Sequence, residues 1–163
     1  MGHGDGPTWA LAIEHSALGQ IVRDSVWIYP AANVAHVLAI AFLLGSIALL
    51  DLRLLGAGPP LSTDRLARLA LPVAIAGLAV AVPTGFLLFA AEASAYFRNP
   101  VFLLKMGVIA AALINVVAFH AGPFRAVKAW GGGPAPTPAR MAAALSLGLW
   151  LSAAAAGRLI AYF

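Results

Sequence analysis

Residues 30–50 read PAANVAHVLAIAFLLGSIALL, and His36 is the one ionisable side chain among them. A helix needs about 20 mostly apolar residues to cross the roughly 30 Å hydrocarbon core of a bilayer. Comparable runs lie at about 66–91, 100–120 and 139–162. Only 10% of the 163 residues are charged, where a soluble domain carries about 25%, and mean hydropathy is +0.91. The sequence therefore predicts an all-α fold, a single membrane domain over residues 1–163 in which four spanning helices form a bundle. With no cysteine in the chain, disulfides, thiolate zinc sites, iron–sulfur clusters and covalent haem attachment are excluded.

Residues 8–24, TWALAIEHSALGQIVRD, set Leu11, Leu18, Ile21 and Val22 among Glu14, His15, Gln20, Arg23 and Asp24. That is too polar to span and predicts one amphipathic helix lying in the interface. Trp27 and Tyr29 follow at headgroup level, and Pro30 opens the first span. The start, MGHGDG, has neither the basic opening of a cleaved signal peptide nor the Ser or Thr of a myristoylation site. The first span is then expected to act as the insertion signal. Small residues crowd the second and fourth spans (AGLAVAVPTG, LSAAAAG), which permits close helix approach and leaves self-association open.

Loop charge sets the orientation. We call the face on which the first span begins side A and the opposite face side B. Side B loops hold Arg53, Arg65, Arg68, Arg125, Lys128 and Arg140, whereas the side A flanks hold Arg23 and Arg98 opposed by Asp5, Glu14, Asp24 and Glu92. The positive-inside rule makes side B cytoplasmic. This predicts a multi-pass protein of a bacterial inner membrane with both termini in the periplasm. The net charge of +4 is accounted for by these loops and does not call for nucleic acid.

Depth, taken from the ~1.5 Å rise per residue, gathers the unusual side chains into one layer. His36 lies roughly 9 Å in from side A, Lys105 and Arg158 roughly 7 Å, and the Pro83-Thr84-Gly85 break of the second span about 10 Å. Ionisable groups inside a span are costly and usually face the bundle interior with a partner. Three cationic or nearly cationic groups at one level call for an anion or a ligand between them. A b-type haem would meet that need: His36 as axial ligand, Lys105 as sixth ligand or propionate partner, Arg158 on a propionate, and Thr84 and Gly85 making room for a flat macrocycle. A quinone, hydrogen-bonded by His36 and Lys105, is the competing occupant. Plainer roles stand beside these: His36 bonded to a backbone carbonyl, and Lys105 and Arg158 snorkelling to headgroups.

Other polar residues have simpler expectations. Asp51 and Arg53 form a cytoplasmic-end pair or bind lipid headgroups. His120 is interfacial on side B, and Asn115 makes a helix–helix hydrogen bond. His15 is a further candidate ligand on the interfacial helix, and His3 belongs to an unordered terminus.

The runs HVLAIAFLLGSIALLDLRLLG (36–56) and NPVFLLKMGVIAAALINVVAFH (99–120) resemble the small four-helix bacterial membrane proteins of the HemJ and CopD type and related uncharacterised membrane proteins. In the HemJ type a span-one histidine opens a run ending in Arg-Leu, and span three carries a Lys and a later His. His36, Arg53-Leu54, Lys105 and His120 match these. The resemblance covers two of the four spans. It implies b-type haem held by His36 with Lys105 at the same site, and oxidation of protoporphyrinogen; the CopD type implies copper handling. Two positions depart from the HemJ pattern: Asp51-Leu52 stands where a Pro precedes the Arg, and Leu44-Gly45-Ser46 where an aromatic is found. Copper delivery favours Met and Cys ligands, of which this chain has three and none.

The sequence reading is thus a membrane-embedded haem protein that transfers electrons between quinone and a periplasmic partner. Its alternatives are a HemJ-like oxidase and a cofactor-free accessory subunit of a larger respiratory complex.

Overall fold

A computed structural model describes residues 7–58, 61–130 and 134–162, so His3 lies outside the described residues. The described chain is helical throughout: α1 (Thr8–Glu14), α2 (Ala17–Asp24), α3 (Ile28–Leu55), α4 (Thr63–Ala91), α5 (Ala93–Arg98), α6 (Pro100–Ala121) and α7 (Thr137–Leu159), with 3-10 turns at Pro123–Trp130 and Ile160–Tyr162. Four helices are long and apolar enough to cross a membrane: α3, α4, α6, and α7 with its 3-10 extension. Each predicted span is found. The first is longer than expected, since α3 continues through Asp51 and Arg53 and stops at Gly56, whose φ of 98° ends it.

The single interfacial helix expected over residues 8–24 is instead two. Ser16 breaks it, its hydroxyl accepting from the Gly19 N–H at 3.2 Å to cap α2. The pair folds under the side A end of α4 and α5 and is tied there by one carboxylate. Glu14 accepts from the Ser94 hydroxyl at 2.6 Å and the Ser94 N–H at 3.0 Å, and it pairs with Arg23 at 3.2 Å. Arg23 also donates to the Ala91 carbonyl at 3.3 Å, satisfying the C-terminal end of α4.

The spanning helices meet along seams of small residues. On α3 the buried positions Ala39, Leu43, Ser46, Leu50 and Leu54 recur every three or four residues. The same spacing carries Ala67, Ala70, Ala74, Gly77 and Ala81 on α4, and Ala139, Ala143, Ser146, Trp150 and Ala153 on α7. At Gly77 a Cβ would stand 2.7 Å from the Ala39 carbonyl oxygen, so this glycine is what lets the α3 and α4 backbones touch. Large apolar side chains such as Phe42, Leu49, Leu69, Ile75, Ile114 and Val117 point outward, as lipid-facing residues do.

The bundle is not evenly packed. α3 lies against α4, α6 against α7, and α3 against α7, while α4 and α6 have no comparable contact among the described residues. Only Ala112 and Phe119 are buried on α6. Two helical hairpins therefore join along one seam and leave a cleft between α4 and α6.

The Glu14 knot has a pH signature. The Ser94 hydroxyl, with the Ser94 N–H and Arg23, holds the Glu14 carboxyl below its ordinary range against the opposing effect of burial. A depressed folded-state pKa contributes stability that is fully present above the unfolded value of about 4.5 and is lost as pH falls through the folded one. Glu14→Gln is expected to cost about 1 kcal/mol at pH 7 and to flatten the acid side of the stability curve, measured by thermal melts in detergent between pH 3 and 7.

Candidate functional site

Two polar regions lie within the span region, one in each half of the bundle. The first lies toward side A, where Pro83 interrupts α4. Proline has no N–H, so the Ala79 carbonyl loses its helical donor and the turn around it is open to side-chain bonding. Thr84 donates its hydroxyl to the Val80 carbonyl at 2.7 Å. His36 enters from α3, half-buried, with Nδ1 2.9 Å from the Ala81 carbonyl oxygen and 3.0 Å from the Thr84 hydroxyl. A carbonyl oxygen only accepts, so the proton sits on Nδ1 and the neutral ring presents a lone pair at Nε2. Nε2 has no hydrogen-bond partner among the described residues.

Gly85 takes part differently from the sequence expectation. A Cβ there would lie 2.8 Å from the His36 Cε1 atom. The space this glycine frees is filled by the imidazole itself, not left for a macrocycle. Lys105 enters from α6 with its ammonium over Gly157 of α7, where a Cβ would stand 3.4 Å from Nζ. It lies within electrostatic range of His36. His36, Thr84, Gly85 and Lys105 are thus brought together.

Arg158 is not. Its side chain is exposed, donates to the Tyr162 hydroxyl at 3.2 Å and stacks over that ring at 5.3 Å. An aromatic four residues along its own helix supplies both a hydrogen bond and a cation–π face, which draws the guanidinium out to the interface. His15 stays at the junction of α1 and α2, where its backbone carbonyl accepts from Gln20.

The second region lies deeper toward side B, in the cleft between α4 and α6. A cavity of about 480 Å³ is floored by α3 and α7 and walled by α4 and α6. Most of its lining is apolar, including Leu78, Ile75, Leu113 and Val117. Asp51, Ser46, Ser146, Trp150, Asn115 and His120 bring polar atoms to it. The Asp51 carboxyl has Ser146 as a hydrogen-bond partner, yet its Oδ2 atom and the Trp150 indole nitrogen are buried without a partner. The expected Asp51–Arg53 pair does not form: Arg53 turns to the α3–α4 connection and donates to the Leu61 carbonyl at 2.7 Å. Residues two apart on a helix point away from each other, and here one faces the loop and the other the cavity.

Asn115 makes the helix–helix bond expected of it, donating to the Ala142 carbonyl at 3.0 Å. His120 bonds the Val116 carbonyl of its own helix through Nδ1 at 2.9 Å and packs edge-on against Phe119, 5.4 Å between ring centres. Trp150 escaped the sequence reading. Its place on the 143–146–150–153 stripe of α7, in register with Ser146, is the signal that finds it.

Among the described residues no group of three or more His, Asp or Glu side chains gathers to hold a metal ion. A haem asks less of the protein, because the macrocycle supplies the equatorial nitrogens and one imidazole suffices as an axial ligand. An imidazole anchored through Nδ1 with a bare Nε2 is the usual form of a metal-ligating histidine. The His36 ring, held in this way, has the donor chemistry of an axial ligand.

A family model described as "Family of unknown function (DUF6644)" matches residues 8–163, and the chain belongs to that family. No curated protein and no solved structure matches it.

The contact between Gly85 and His36 can be tested against a glycine with open surroundings. A helical Gly→Ala change ordinarily gains about 1 kcal/mol. Gly107→Ala, with nothing within 4 Å of the new Cβ, is expected to follow that rule. Gly85→Ala is expected to lower the melting temperature instead, because the ring and the new methyl cannot both stay, and circular-dichroism melts of the two variants check this.

Proposed function

We propose that this protein is a membrane-embedded b-type haem protein that passes electrons between the quinone pool and a periplasmic partner. The observation that carries this reading is the His36 ring, fixed by Ala81 and Thr84 through Nδ1 so that Nε2 is left to ligate. His36 is the axial ligand. Lys105, from the neighbouring hairpin, serves as the sixth ligand or as the partner of a propionate. When bound, the haem supplies one-electron chemistry. The chain's own residues hold the imidazole in one tautomer, keep a cation beside it and exclude water from the interface of α3 and α4. Arg158, paired with Tyr162 at the membrane surface, would need a rotamer change to reach a propionate.

The loop charges support a place in a bacterial inner membrane with the His36 layer toward the periplasm, because Arg53, Arg65, Arg68, Arg125, Lys128 and Arg140 all lie at the opposite end. A haem at that depth could be reached by a soluble periplasmic partner, and the bilayer brings quinone from the side. On this reading the electron path crosses the outer half of the membrane.

Protein purified from haem-replete cells is expected to show a Soret band and a pyridine haemochrome spectrum of b type. His36→Ala should remove the band while the protein remains folded and monodisperse, and Lys105→Ala should lower haem retention without abolishing it. A colourless wild-type preparation that takes up no added haemin, or a band that survives His36→Ala, would overturn the assignment.

A further inference from the structure

The cleft between α4 and α6 has the features of a ligand site distinct from the His36 layer. Counted along α3, Asp51 lies ~22 Å from His36. Toward side A, beyond the cavity, Phe89 of α4 stacks on Phe102 of α6 at 5.6 Å, with Tyr96 beside them. Phe119 and His120 line its side B end, and Phe124 packs on both, 4.8 Å from the His120 ring. The lining residues Ile75, Leu113 and Val117 are 66%, 39% and 68% exposed, so the cavity opens sideways to the acyl chains. Its floor holds two polar groups that are each only 6% exposed, Asp51 and Trp150, and each ends in an atom without a partner.

Burying a hydrogen-bonding atom in low dielectric without a partner is unfavourable, and native proteins rarely leave two in one cavity. Because the cavity is largely apolar and opens to lipid, an occupant that fills it and satisfies both atoms enters from the bilayer. Its head must accept a hydrogen bond from the Trp150 N–H and donate one to the Asp51 Oδ2 atom. An acyl chain does neither, and a phospholipid phosphate, with acceptor oxygens only, has no proton to give Oδ2. A neutral hydroxylated ring does both, its oxygen accepting from the indole while its O–H donates to Oδ2. The volume of about 480 Å³ falls within the roughly 300–1,000 Å³ of small-molecule sites.

We propose that this cleft binds the head of a hydroquinone, held between Asp51 and Trp150 with its tail leaving between α4 and α6. Ser146 holds the Asp51 carboxyl in place from the neighbouring turn of α7, and Asn115 pins α6 to α7 beside it. The proposal deepens the quinone-linked reading and rests on it for its purpose. Binding itself does not require haem at His36, so the two can fail separately.

The test is calorimetric titration of the full-length protein in phosphatidylcholine nanodiscs with a benzoquinol carrying a single isoprene unit, alongside native mass spectrometry of what co-purifies. Wild type is expected to bind saturably at one site per chain. Asp51→Leu and Trp150→Phe should each weaken binding about tenfold, the loss expected of one buried hydrogen bond. His36→Ala should bind within about twofold of wild type, whether or not it holds haem. Should Asp51→Leu fail to fold, Trp150→Phe decides alone, because it keeps the ring and removes only the N–H end. No saturable binding by wild type, unchanged binding in a folded Trp150→Phe, or a stoichiometric phospholipid that the quinol does not displace would each overturn the proposal.

Discussion

Inside a bilayer a polar side chain has no water to turn to, and every feature of this molecule's interior follows from where its polar atoms find partners. The bond between the His36 Nδ1 atom and the Ala81 carbonyl is the case on which the candidate site depends. It joins α3 to α4 at the proline break and fixes which ring nitrogen carries the proton. Through the same contact it fills the space above Gly85. The small-residue seam continues the same logic downward: with alanine and glycine at the crossing, the α3 and α4 backbones approach closely enough for the imidazole to bridge them.

The consequence is a bundle of unequal halves. The α3–α4 hairpin is locked by backbone contact at Gly77 and by the imidazole at Gly85. The α6–α7 hairpin is held by Asn115 on Ala142 and by Lys105 lying over Gly157. Trp150, too large for the alanine seam, stands at their junction with Leu43, Ala74 and Ala112 and keeps α4 and α6 apart. A bulky aromatic in an otherwise small-residue interface is thus what opens the cleft. The same residue then offers the cleft an indole donor.

Much of this was legible in the residues themselves. Hydropathy alone locates the spans, because segments of that length with so few charges have no stable place in water. Depth counting correctly brings His36 to the level of Thr84 and Gly85, since the rise per residue is constant along a helix. Depth says nothing about azimuth, however. Arg158 shares the level of Lys105 but faces outward to Tyr162, a partner on its own helix that a layer argument does not see. Asp51 was masked by its neighbour Arg53, because adjacent opposite charges suggest a pair even where helical geometry turns them apart. Trp150 carried no charge to draw notice, and its unpartnered nitrogen appears only once four helices are assembled around it. The split at Ser16 is a local capping effect that periodicity over residues 8–24 smooths over.

The account turns on the protonation of one ring. Solid-state NMR of the protein in lipid, with ¹⁵N-labelled histidine assigned by comparison with His36→Gln, reads it directly in the haem-free form. A neutral His36 protonated at Nδ1, with a bare Nε2 whose signal is lost when haem is added, is the predicted result. A proton resident on Nε2, or an Nε2 signal unmoved by haem, would contradict it.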